Sequence, residues 1–210
     1  MIKPMLRTGQ VLGMYSALLG LEHGIFELLQ GLLPREELLI QAVGAPCQPD
    51  KIWHACLPAL SLLPNLQLAG MITVVISILL LYWAVFRIGH RLSFGVMIGL
   101  SVALLLSGGG FVPVWIGLSA GLAVQFDRRH PGWIGLMPDN LLVFGSWLWI
   151  PLVAVVLAWL PLSWLMGTLF PEPMLRLGTA LFLLFDIFLP IAITLSGSFR
   201  QVELANREDA

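Results

Sequence analysis

Charge is scarce in this chain: only 11% of its 210 residues are Asp, Glu, Lys or Arg, where a soluble domain carries about 25%. With 58% hydrophobic residues and a mean hydropathy of +0.91, that scarcity excludes a soluble fold. A formal net charge of -1 and the lack of a basic stripe give nucleic acid no electrostatic footing, so no nucleic-acid partner is expected. Cysteine is nearly missing as well. The two present, Cys47 and Cys56, do not form the Cys-x-x-Cys of a disulfide oxidoreductase, and with His54 they match no zinc spacing and want a fourth ligand. No metal site is expected. Only His23 lies deep in an apolar run, which disfavours a bis-histidine haem, and no phosphate-binding loop or nucleophile elbow occurs, so no cofactor is expected.

What the chain has is long apolar runs separated by small basic clusters. They predict an all-α polytopic transmembrane helical bundle, a single domain over 1–210 with about six spans at 8–33, 66–86, 92–107, 111–126, 140–170 and 177–199. Residues 34–65 form the longest segment outside the membrane. Lys3 and Arg7 ahead of the first run resemble a signal peptide, but no small-x-small cleavage site follows, and the run reads as a retained first helix.

That first span is 26 residues, about 39 Å of helix against a hydrocarbon core of about 30 Å. Small residues recur every four positions in two stripes, Gly9-Gly13-Ala17 and Ser16-Gly20-Gly24, so a central helix in close backbone contact with its neighbours is expected. Within it, Gly20-Leu21-Glu22-His23-Gly24-Ile25-Phe26-Glu27 sets two carboxylates and an imidazole inside the membrane. A charge at the bilayer centre costs at least about 2.5–3.5 kcal/mol, so these groups need partners, neutralisation or water. Glu22, His23 and Glu27 are the binding or relay candidates of this span, with Gln30 farther out. His23 and Glu27, four apart, share a helix face. Asp186 joins them from the last span, where its depth matches that of Glu22 and His23, and an interhelical pair is expected there. No catalytic residue is identified.

The 34–65 segment holds Pro34, Pro46, Pro49, Pro58 and Pro64, too many for one long helix. An even cysteine count outside the cytoplasm suggests a Cys47–Cys56 disulfide, contributing roughly 2–3 kcal/mol by closing a small loop. Residues 92–126 form an uncharged run of 35 residues, too long for one span and tight for two. Gly108-Gly109-Gly110 breaks it in the middle, and a hairpin of two short helices is expected, each with a glycine pair, Gly95 and Gly99, then Gly117 and Gly121. Basic-residue placement tests this. With the hairpin and a cytoplasmic N-terminus, Lys3, Arg7, Arg87, Arg91, Arg128, Arg129, Arg200 and Arg207 lie inside and Arg35, Lys51 and Arg176 outside, eight against three. A single crossing leaves five inside and six outside.

Farther on, Pro151 and Pro161 are expected kinks of the fifth span, and Trp147, Trp149, Trp159 and Trp164 read as interface anchors. The polar tail from Arg200 to Ala210 has no apolar period and is expected to carry little structure.

GLEHGIFELLQG, CLPALSLLPNLQLAG and GGGFVPVWIGLSAGLA together resemble a group of bacterial polytopic membrane proteins to which no activity is attached, over about the first 125 residues. The resemblance implies a bacterial inner-membrane protein and no chemistry. Three functional readings compete. A structural, binding or assembly component would use the polar centre to fix helix packing or to hold a small molecule or partner membrane subunit in the bilayer. A small-solute or proton-coupled transport module would use it as a pathway. An intramembrane enzyme acting on a lipid or isoprenoid would use the same groups as acid and base.

Overall fold

Where the triple glycine interrupts the long uncharged run, the chain does turn back on itself. The computed structural model, which describes residues 3–34, 37–41, 58–129 and 132–208, is all-α apart from two three-residue strands. Helix α1, Pro4–Gln30, opens on a proline, whose missing N–H costs nothing in the first turn. Helix α2, Leu66–Tyr82, is capped by Asn65, whose side chain accepts from the Leu68 N–H at 2.8 Å, and widens into a π segment, Trp83–Arg87. Helices α3, Ser93–Ser107, and α4, Phe111–Arg128, are the two arms of the hairpin. Helix α5, Asp139–Leu169, runs unbroken through Pro151 and Pro161. Helix α6, Pro171–Leu181, passes through a second π segment, Phe182–Phe188, into α7, Leu189–Glu208. Three of these rods, Leu66–Arg87, Asp139–Leu169 and Pro171–Arg207, are long and apolar enough to cross a membrane.

Helix α1 is central, packed on α2, α4, α5 and α7, and its glycines are the reason. A Cβ added at Gly24 would stand 2.9 Å from the Val74 N and 3.0 Å from the Gly70 carbonyl oxygen, so the α1 and α2 backbones touch. Gly9 meets α4 through Val124 and the Ala120 carbonyl, and Gly13 takes the side chain of Met97 from α3. The hairpin departs from expectation in one arm. Gly117 and Gly121 pack against Ser101 and Ile98, but a Cβ at Gly95 or Gly99 meets nothing within 4 Å, so that pair faces away from the bundle.

Both π segments occur where the backbone needs relief or support. The Pro190 ring would clash with the carbonyl four residues back, that of Asp186, and the widened turn falls there. Widening also frees carbonyls. In one segment the Val85 carbonyl accepts from Gln10 Nε2 at 3.2 Å, and in the other the Ile187 carbonyl accepts from Trp115 Nε1 at 3.4 Å.

Strands β1, Leu39–Gln41, and β2, Pro58–Leu60, pair antiparallel within the 34–65 segment. Beyond β2 the chain is stitched to the hairpin: the Leu62 N–H donates to the Leu106 carbonyl at 2.9 Å and Ser61 Oγ to the Ser107 carbonyl at 3.3 Å. Cys47, His54 and Cys56, and with them the expected disulfide, lie outside the described residues.

Two expectations are corrected. The tail is helical, because its polar groups are used: Glu203 accepts from Ser146 Oγ at 2.6 Å and Arg200 Nη1 at 2.8 Å and pairs with Arg207. Gln201 accepts from the Met5 N–H at 3.1 Å and donates to Asp127 Oδ1 at 3.0 Å, tying α7 to α1 and α4. Glu203→Ala should therefore cost about 1–2 kcal/mol, read as a lower thermal midpoint in detergent, and an unchanged midpoint would show the network to be decorative. The tryptophans are not all interface anchors either. Trp149 Nε1 donates to Thr8 Oγ1 at 2.8 Å and Trp159 stacks on Phe185 with ring centroids 3.8 Å apart, both contacts inside the bundle, while Trp147 is exposed.

Candidate functional site

The close approach of α1 and α2 leaves the last turns of α1 facing the end of α3. On that face stand His23, 4% exposed, and Glu27, 0% exposed. The hairpin turn lies directly on them. Gly108 closes α3 at φ +117° and Gly110 opens α4 at φ +78°, a backbone shape that side chains resist. There is no space for a side chain either: a Cβ at Gly108 would fall on the Glu27 carboxylate, and one at Gly110 would stand 2.6 Å from His23 Cε1 and 2.7 Å from its Nε2. Below them Ser16 Oγ donates to the Pro113 carbonyl at 2.6 Å, fixing α4 to the same face.

Buried hydroxyls surround the turn. Thr73 Oγ1 donates to Ser107 Oγ at 3.0 Å, and Ser107 Oγ donates to the Leu104 carbonyl at 3.1 Å, so the α3 terminus is held from α2 as well as from Ser61. Neither oxygen of Glu27 has a hydrogen-bond partner among the described residues, and the same holds for Ser77 Oγ, one turn inward on α2. Glu27 sits in the last turn of α1 and against Gly108, the C-cap of α3, two helix ends with partial negative charge whose last turns contain no basic residue, while the positive N-terminus of α4 at Gly110 stands against His23.

The remaining candidates gather elsewhere. Asp186 is half-buried in the second π segment, and Glu22 is half-buried on the face of α1 that also carries Tyr15 seven residues earlier. Both carboxylates lie within electrostatic reach of the buried Tyr15 phenol. Asp186 and Glu22 thus share a level, around Tyr15, while His23 and Glu27 share the hairpin turn. Gln30 Nε2 donates to the Phe26 carbonyl at 3.3 Å, a local bond within α1.

Reasoning from sequence missed Tyr15, Thr73, Ser77 and the contact of the glycine turn with the imidazole and carboxylate. The signal for Tyr15 was its spacing of two helical turns from Glu22. Nothing local could have placed Gly108 over Glu27, because 80 residues separate them and only the packing of α3 on α2 and of α2 on α1 brings them together. Comparison with known protein families, with characterised proteins and with solved structures finds no match for this chain.

Proposed function

We propose that the chain is a multi-pass protein of the bacterial inner membrane that acts as a binding component, with its site between His23, Glu27 and the Gly108–Gly110 turn. One observation carries the reading: a fully buried carboxylate to which no described residue offers a hydrogen bond. Polar groups that merely lock helices are paired with each other, and Ser16, Thr73 and Ser107 behave that way. Glu27 does not, so helix packing alone leaves it unexplained. The comparison of Glu27→Leu with the parent decides between binding and assembly. For a binding site, the apolar variant should be more stable by about 1–3 kcal/mol in sodium-free buffer, since an unpaired buried polar group has been removed. Lower stability would mean that Glu27 holds the fold together and would sink the reading.

A second reading, a transport module, is favoured by the grouping of Tyr15, Glu22 and Asp186 on a different face of the same central helix, at a π segment.

The proposed topology has six spans, both termini cytoplasmic, and the glycine turn with residues 34–65 at the outer face. It is supported by the eight-to-three distribution of basic residues and by Arg128, whose guanidinium donates to the His90 and Arg91 carbonyls and so joins two basic loops at one end. In a background with Cys47→Ser and Cys56→Ser, exposed Leu62→Cys should react with an impermeant maleimide on intact cells, and exposed Arg129→Cys only after permeabilisation. The reverse pattern would invert the topology.

A further inference from the structure

We infer that the Glu27 carboxylate, closed in by the Gly108–Gly110 turn, binds a small monovalent cation, the proton or sodium. The inference deepens the binding reading above and rests on it. The first argument is charge. The α1 and α3 termini both present negative ends to a carboxylate that has no basic residue in either last turn, an arrangement a cation relieves, while the positive end at the turn, the α4 N-terminus at Gly110, lies against His23.

The second argument is the donor set. Thr73 and Ser107 supply hydroxyl oxygens beside the α3 terminus, with Ser77 one turn farther along α2 against Gly20, and hydroxyls are among the hard oxygen ligands an alkali ion takes. No group of three His, Cys, Asp or Glu side chains converges among the described residues, so the carboxylate count that would neutralise a divalent ion is not there.

The third is size. One added Cβ at Gly108 already falls on the carboxylate, and one at Gly110 already crowds His23. The turn side of the carboxylate therefore has no room for a methyl-sized group, which rules out an amine-bearing solute bound between the turn and Glu27. His23 is the other ionisable group at the turn among the described residues; the stretches 58–65, 66–81 and 92–126, which meet the turn through Ser61, Thr73 and the glycines themselves, carry none.

Infrared difference spectroscopy on the full-length protein in lipid reads this directly, through the carbonyl stretch of a neutral carboxyl group and the paired stretches of a carboxylate. Glu27→Gln and Asp186→Asn assign the bands, and Glu27→Asp, which keeps the acid but shortens it, moves the Glu27 band if the Gln variant does not fold. If sodium is the ion, replacing choline chloride by sodium chloride at fixed pH converts neutral to ionised Glu27, leaving about a tenth of the neutral band at ten times the dissociation constant. If the proton is the ion, the Glu27 bands exchange with pH across the range in which the protein stays folded and ignore sodium, in the parent and in His23→Gln alike. Glu27 bands that answer to neither would overturn the proposal. Silent bands together with a stabilised Glu27→Leu remove the ion and leave the binding site; a destabilised Glu27→Leu removes the site itself.

Discussion

Gly108→Ala should destabilise the protein by about 3 kcal/mol, and Glu27→Ala in the same chain should restore about 1–2 kcal/mol of it. Two costs add at Gly108. A non-glycine residue at φ +117° is strained by about 1–2 kcal/mol, and its Cβ overlaps a carboxylate that the α1 backbone holds in place. Only the second cost involves Glu27, so only that part is recoverable. Gly110→Ala carries the same two costs at φ +78°, with the His23 ring in place of the carboxylate, and Glu27→Ala should leave its loss unchanged. Gly95→Ala and Gly99→Ala are the controls: helical, with nothing within 4 Å, they should be neutral or stabilising by up to about 1 kcal/mol. Reversible unfolding in mixed micelles, followed by circular dichroism, measures all of these. Additivity of Gly108→Ala with Glu27→Ala would show that the turn does not rest on the carboxylate.

The helices were legible in the sequence because hydropathy acts locally. Residues 92–107 and 111–126 needed only the glycine breaker and the basic-residue count to appear as a hairpin, and the observed arms, Ser93–Ser107 and Phe111–Arg128, lie within two residues of those bounds. The close-packing role of Gly20 and Gly24 was legible for the same reason, since a four-residue spacing is a property of one helix. What was not legible depended on which face meets which neighbour. Gly95 and Gly99 have the spacing of packing glycines and yet face outward, because α3 turns its Met97, Ser101 and Leu104 face to the bundle. The tail looked unstructured because its charges were counted as solvated, whereas Glu203 and Gln201 find partners on α5, α1 and α4. Four polar residues were legible as candidates from the cost of charge in lipid. Their division into a Glu22 and Asp186 group and a His23 and Glu27 group was not, since it follows from the two faces of α1 meeting different helices.

Gly70→Val should be the most damaging single change in the bundle, with an expected loss of about 4 kcal/mol or failure to accumulate in the membrane. A Cβ at Gly70 would stand 2.5 Å from the Gly24 carbonyl oxygen, 2.6 Å from the Leu28 N and 2.9 Å from Leu28 Cγ. Two of those three atoms are backbone of a packed helix and cannot step aside, so α1 and α2 must separate along their whole contact. Graded changes check the mechanism. Gly70→Ala should cost more than Gly24→Ala, whose nearest atoms stand at 2.9–3.0 Å, and Gly24→Ala more than Gly13→Ala, whose nearest neighbour is the flexible Met97 Cε at 2.6 Å. The separation also has a consequence at the site. Thr73 lies less than one turn from Gly70 on α2 and holds the α3 terminus through Ser107, so moving α2 withdraws that hydroxyl and loosens the turn over Glu27. Gly70→Ala, which should retain enough stability to purify, is therefore expected to weaken the ion response of the Glu27 infrared bands, whereas Gly99→Ala leaves it intact. If Gly70→Ala were as stable as the parent, the α1–α2 backbone contact that positions the site would be wrong; if it were destabilised with an unchanged ion response, the site would not depend on α2.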